Sequence, residues 1–355
     1  MTRLTITAAG VALLAALAGA CTGDVPTAAV PSDPALAKGG PSAAAYTVLD
    51  VGALLPGSSS QANGVNDAGD VVGYYYDGSA YRAFALVAGA SVTLGSGPGL
   101  AWGMSNGSPA FVAGSAGGFP VRWSLADPSQ TTSLTLTAGE TSGSADAVND
   151  AGDAVGVVGA NAAMWLADGT RIPIATPAPW VRGEGRGIDN DGLAIFQFSA
   201  SSSEYAQNRA YVRLASGALV ELPPVGSDVT SYANDISEVV AGTVYVAGST
   251  LSSTQVSRSV RWTVNASTGA IIVTDVLATT GAHGLAVSDA GGIAGFIENT
   301  RSLRFEAYLW RGTDVLKLAP PKGSGNGQVW TMSRSGRYLA GKASTGAVRW
   351  TIAVP

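Results

Sequence analysis

An all-β fold is predicted by this sequence, a seven-bladed β-propeller of four-stranded blades closed by an N-terminal strand. Three observations carry that expectation. A glycine-rich bend motif recurs seven times at intervals of about 45 residues, the period of a propeller blade. An aromatic strand signature follows each bend, and the strand count balances only if the first strand completes the last blade. The composition agrees. Among 355 residues there are 47 glycines, and hydrophobic residues make up 46%, which suits short strands, many turns and a large core.

The bends are the clearest repeat. GVNDAGDVVG at 64–73 returns as AVNDAGDAVG at 147–156. Weaker copies are GMSNGSPAFVAG at 103–114, GIDNDGLAIF at 187–196 and YANDISEVVAG at 232–242, then AVSDAGGIAG at 286–295 and TMSRSGRYLAG at 331–341. One position runs through the series as Gly73, Gly114, Gly156, Phe196, Gly242, Gly295 and Gly341. The third strand of each unit reads RAFAL, VRW, AAMWL, RAYVR, SVRW, AYLW and AVRW, with Trp123, Trp165, Trp262, Trp310 and Trp350 at one equivalent place. Fourth strands are expected at 91–94, 132–136, 170–174, 218–222, 271–277 and 314–318. The seventh unit ends before a fourth strand, and YTVLDV at 46–51 supplies it. Pairing beside Arg349 and Trp350 would close the ring and leave no long sheet edge at the seam. The blades then fall at about 61–100, 101–143, 144–181, 182–229, 230–281, 282–325, and 326–355 with 46–52.

The N-terminus reads as an address. A weakly basic start precedes the apolar run from Gly10 to Ala20, long enough for a signal-peptide core and too short to span a bilayer. The run ends in Leu17-Ala-Gly-Ala-Cys21, which resembles a bacterial lipobox, although Ala18 stands where leucine is usual. Cys21 is the sole cysteine and sits where acylation would need it, so residues 1–20 are expected to be a lipoprotein signal peptide. Residues 21–45, rich in Pro, Ala and Gly, would tether the folded part to the membrane. Thr22 after the cysteine favours an outer membrane or cell-surface address.

The order of bend (VNDAGDVVG), strand (RAFAL, AYLW) and closing VTLG, with the lead-in YTVLDVG, resembles the extracellular HAF-type repeats of bacteria. The resemblance covers about residues 46–355. It implies a structural repeat and carries no catalytic signature.

Composition narrows the functions. A formal charge of −5 and the lack of a basic cluster argue against nucleic acid as a partner. One cysteine and one histidine, His283, preclude an internal disulfide and a multi-histidine metal site, and no cofactor is implied. The bends offer Asn66, Asp67 and Asp70, or Asn149, Asp150 and Asp153, as oxygen donors for calcium. However, Ser333-Arg334-Ser335 breaks that chemistry, and Asx turns explain all copies better. No nucleophile elbow, P-loop or zinc-protease motif is present.

Positions that differ among units are free of the blade's own demands. Two residues before the apolar end of each first strand stand Asn63, Trp102, Asp146, Arg186, Ser231, Leu285 and Trp330. A ligand-binding rim of Trp102, Asp146, Arg186, Tyr232, His283 and Trp330 would combine flat aromatic faces with charges, which suits sugar rings or a peptide loop. The expected protein is a monomeric, lipid-anchored binding or scaffold module of the cell envelope for glycan or protein. The alternative is a propeller hydrolase or lyase acting on envelope polysaccharide.

Overall fold

The computed structural model describes residues 45–201, 207–299, 301–321 and 325–353. The expected signal peptide, Cys21 and tether up to residue 44 lie outside the described residues. No helix among the described residues is long and apolar enough to cross a membrane.

Seven antiparallel sheets of four strands form the ring. The innermost strands are Ser59–Val65, Gly99–Met104, Gly143–Val148, Arg182–Ile188, Thr230–Ile236, Ala282–Val287 and Gly327–Met332, in blades 1 to 7. Each blade then runs outward in chain order. Only blade 7 takes its outer strand from elsewhere: Tyr46–Asp50 pairs antiparallel with Gly346–Ile352, placing Val48 opposite Trp350 and Leu49 opposite Arg349. The two ends of the propeller segment are thus hydrogen-bonded into one sheet, and the seam blade has four strands like the other six. One strand shifts from expectation. The outer strand of blade 2 is Asp127–Ser133, which starts earlier and takes in only the first two residues of the expected 132–136 run, while Leu134 is buried against blade 3.

The aromatic signature ties blades together in both directions. Trp165, Trp262 and Trp350 are buried, and their indole N–H groups donate backward to the carbonyls of Thr135, Pro223 and Ala319 in the preceding blade. The arginine before tryptophan reaches forward instead. Arg122, Arg261 and Arg349 donate to the carbonyls of Gly152, Gly291 and Gly69 in the following blade's bend. Alternation along a strand puts adjacent residues on opposite faces of the sheet, which is why Arg-Trp can serve two neighbours at once.

Every inner strand carries a β-bulge at the same place, between Ala62 and Gly64 in blade 1 and at the matching pairs in the other six. Opposite the bulge the second strand has glycine. A Cβ added to Gly73, Gly156 or Gly248 would lie 1.9–2.1 Å from an inner-strand carbonyl oxygen, so no side chain fits. Blade 4 exchanges the roles: Phe196 replaces the glycine and pairs with Gly185. In blade 5 the residue opposite the bulge is Gly248, not Gly242, which belongs to a longer bend and has φ of 78°.

The bends do two jobs. Their first residue is always buried, polar and short: Asn66, Ser105, Asn149, Asp189, Ser237, Ser288 and Ser333. Its side chain accepts a backbone N–H from the start of the second strand, for example Asp70 to Asn66 at 2.9 Å and Gly292 to Ser288 at 3.1 Å. The next residue closes the ring. Asp67 donates its N–H to Asn106 Oδ1, Gly107 to Asp150, Asp150 to Asn190 Oδ1 and Asn190 to Glu238 Oε2. Glu238 N–H then bonds Asp289 Oδ1, Asp289 N–H bonds the Arg334 carbonyl, and Ser335 N–H returns to Asp67 Oδ1. Seven blades are joined in an unbroken circle. Asp67 is fully engaged by it, since Oδ2 also accepts from Asn106 Nδ2 at 2.9 Å. The aspartates that could have served calcium are acceptors for backbone and amide donors.

Two outcomes follow from these bonds. Asp67→Ala leaves the Ser335 N–H without its acceptor and opens the circle at the seam, so the urea midpoint falls with a loss of about 1–2 kcal/mol, whereas Asp67→Asn keeps most of it. Asp189 stands where blades 1 and 3 have asparagine. It is fully buried, its Oδ2 has no partner, and burial pushes it up to about 7 against the N–H bonds from Leu193 and Asp191. A folded-state value above the unfolded one means its contribution is full below about pH 4 and is lost as pH rises through about 7. Asp189→Asn is therefore expected to change stability little near pH 4 and to raise it by about 1–3 kcal/mol near pH 8, read from urea unfolding at both.

Candidate functional site

The bulges build the channel. At each one an extra residue is pushed out of the ladder toward the axis. These seven residues are Asn63, Trp102, Asp146, Arg186, Asn234, Leu285 and Trp330, and all seven line one central cavity of about 440 Å³. Six of them are the variable positions read from the sequence. In blade 5 the bulged residue is Asn234, and Ser231 is fully buried three positions earlier.

Two of the seven are structural ties. Asn63 Nδ2 donates to the Ala101 carbonyl and Asn234 Nδ2 to the Gly284 carbonyl, each 2.8 Å away at the next blade's bulge. The others present chemistry. Trp102 meets Tyr74 edge-on at 5.8 Å, and Tyr74 meets Tyr81 in the same way at 5.3 Å, so an aromatic cluster extends from the channel along blade 1. Trp330 leans on Phe296 at 6.3 Å, and its indole N–H is buried without a partner. Both tryptophans remain partly exposed.

On the side of blades 3 and 4 the lining is charged. Arg186 is ion-paired with Glu184, and Asp146 accepts from the Ser144 hydroxyl at 2.7 Å. Burial pushes Asp146 up to about 6, with Arg186 and Ser144 opposing the shift and the Glu184 carboxylate adding to it. Asp146 therefore changes charge in the mildly acidic range, beside a fixed guanidinium.

The bend end of the channel is bridged by Arg334. From blade 7 its guanidinium donates to the carbonyls of Ile236 and Ile188 and pairs with Glu238 at 3.2 Å, reaching blades 4 and 5. Arg334 also opposes the burial that pushes Asp235 up to about 6. The residue that breaks the acidic bend pattern thus ties the far side of the ring across the axis.

Two members of the expected rim stand apart from this lining. Tyr232 and His283 lie two residues before the bulge region, nearer the mouth. Tyr232 lines a separate pocket of about 310 Å³, where its hydroxyl accepts from Asn208 Nδ2 at 2.9 Å. His283 lines neither cavity. It stacks on Phe296 at 4.7 Å, and its Nε2 meets Ser257 and Glu298. Burial lowers its pKa, with Glu298 opposing. The rim is thus corrected: Trp102, Asp146, Arg186 and Trp330 share the channel, Tyr232 adjoins it, and His283 packs between blades because its ring finds a stacking partner there.

A side pocket opens beside the channel. Arg182, Gln197 and Asn208 line it with Tyr232, and it shares Glu184 and Arg186 with the channel. Among the described residues no group of three or more His, Cys, Asp or Glu is arranged to hold a metal.

No protein-family model and no curated protein matches the chain. Solved structures do match it in shape. Streptogramin B lyase superposes with a TM-score of 0.53 at 12% identity, over 87% of this chain and 98% of that one. A catalytically inactive variant of virginiamycin B lyase from Staphylococcus aureus with quinupristin gives 0.53 at 10% identity, over 87% and 100%. A chain of the mitotic checkpoint complex gives 0.55 at 12% identity, over 88% and 96%. At such identities the likeness is one of fold, and propellers of this shape serve both enzymes and assemblies.

Proposed function

We propose that this protein is a lipid-anchored module of the cell envelope whose propeller binds a glycan or a protein loop at the central channel. The observation that carries the reading is the ring of bulges. One repeated backbone irregularity delivers seven residues to a single cavity, and the residue type there changes from blade to blade. A position that a repeat leaves free, yet always aims at one cavity, is suited to recognition. Trp102 and Trp330 offer flat apolar faces, while Asp146, Glu184 and Arg186 offer donors and acceptors in the same cavity. The bridge made by Arg334 favours entry from the mouth opposite the bends.

The alternative, a hydrolase or lyase acting on envelope polysaccharide, rests on one cluster. Asp146, pushed toward neutrality beside Arg186 and Glu184, has the makings of a general acid. Turnover of a bound polysaccharide that is lost in Asp146→Asn while binding persists would establish that reading in place of simple recognition.

A glycan array probed with the purified protein tests the binding claim. Trp102→Ala and Trp330→Ala should each weaken captured ligands by about tenfold or more with unchanged circular dichroism. Binding that ignores both substitutions counts against the channel. The anchor has its own measurement: labelled palmitate should enter the wild-type protein in cells and not the Cys21→Ser variant, and equal labelling of both removes the lipoprotein reading.

A further inference from the structure

The side pocket adjoining the channel has a chemistry of its own. It lies at the mouth end of blades 4 and 5, where Arg182 opens the inner strand of blade 4 opposite Ser199. Two guanidiniums line it: Arg186 is held by Glu184, while the Arg182 guanidinium has no hydrogen bond or ion pair among the described residues. Apart from Val157 and Gly183, the remaining lining is polar. Gln197 is almost fully buried, and the Tyr232 hydroxyl and Asn208 amide sit together. An unneutralised guanidinium in a recess of about 310 Å³ is a place for an anion.

We propose that this pocket is a carboxylate subsite, and that the ligand of the channel is an acidic saccharide whose uronate carboxylate pairs with Arg182. This rests on the channel-binding reading given above. One free positive charge matches the single charge of a carboxylate better than the double charge of a phosphate monoester. The guanidinium fork can hold both carboxylate oxygens at once. The neighbouring sugar residue would pass Arg186 and Glu184, which both cavities share, into the channel between Trp102 and Trp330. Flat indole faces suit a pyranose ring better than a peptide's acidic side chains.

Calorimetric titration of the full-length protein separates the possibilities. The probes are tetramers of galacturonate, glucuronate and mannuronate, the methyl ester of each, and hexaglutamate. At least one free-acid tetramer should bind about tenfold or more tighter than its ester, with a preference that shrinks as salt rises. Arg182→Gln should erase that preference and leave ester binding intact, while Arg182→Lys keeps part of it. Because the Arg182 side chain makes no hydrogen bond or ion pair among the described residues, neither variant removes one, and unchanged circular dichroism checks that the fold persists. Equal affinity for acid and ester, or an acid preference that survives Arg182→Gln, overturns the subsite. If Trp102→Ala still weakens both ligands in that case, channel binding stands without it. Failure of every uronate to bind, or capture of hexaglutamate alone, overturns the saccharide assignment.

Discussion

The hydrogen-bonded circle at the bends is the constraint on which the rest of this propeller depends. A ring of seven separate sheets holds together only through contacts between neighbours, and apolar packing alone does not fix how far each blade is rotated about its own axis. Here each bend presents a backbone N–H to a side-chain or backbone oxygen of the next, from Asp67 round to Ser335 and back to Asp67. Each of these N–H groups bonds the neighbouring bend, and the side chain that accepts is Asp, Asn or Glu in six of the seven bends. Blade 7 departs from this with Arg334, whose backbone carbonyl takes over the acceptor role and frees its side chain to cross the channel.

With the bends occupied in holding blades together, variation is confined to the bulges. A bulge needs room on the adjacent strand, which Gly73, Gly156, Gly248 and their counterparts supply and which Gly185 supplies in return for Phe196. Once that backbone cost is met, the bulged side chain touches mainly the cavity. Asn63 and Asn234 use the position to tie blades, whereas Trp102, Asp146, Arg186 and Trp330 are available to a ligand. Residues that join blades and residues that line the channel are separated along a single strand, a few residues apart.

Much of this was legible in the residues because each feature has a local cause. The bend repeat, the Arg-Trp strands and the orphan strand at Tyr46–Asp50 were all visible as patterns of turn residues and period-two alternation. Blade 5 reads out of register with the other repeats because its bend carries extra residues. Anchoring on Gly242 led to Ser231, whereas matching Ile236-Ser237 with Val65-Asn66 leads to Asn234. His283 was placed on the rim by sequence proximity, but nothing local reveals that Phe296, on the next strand, holds its ring. The side pocket left no sequence signal, since Arg182, Gln197, Asn208 and Tyr232 come from four strands of two blades.

The central claim, that bulged residues recognise and the repeated tryptophans only pack, is tested most directly by the indole N–H resonances of the protein. Titration with a ligand captured from the array should move the signals of Trp102 and Trp330, which line the channel, and leave those of the buried Trp165, Trp262 and Trp350 in place. Saturable binding with Trp102 and Trp330 unmoved would contradict the account.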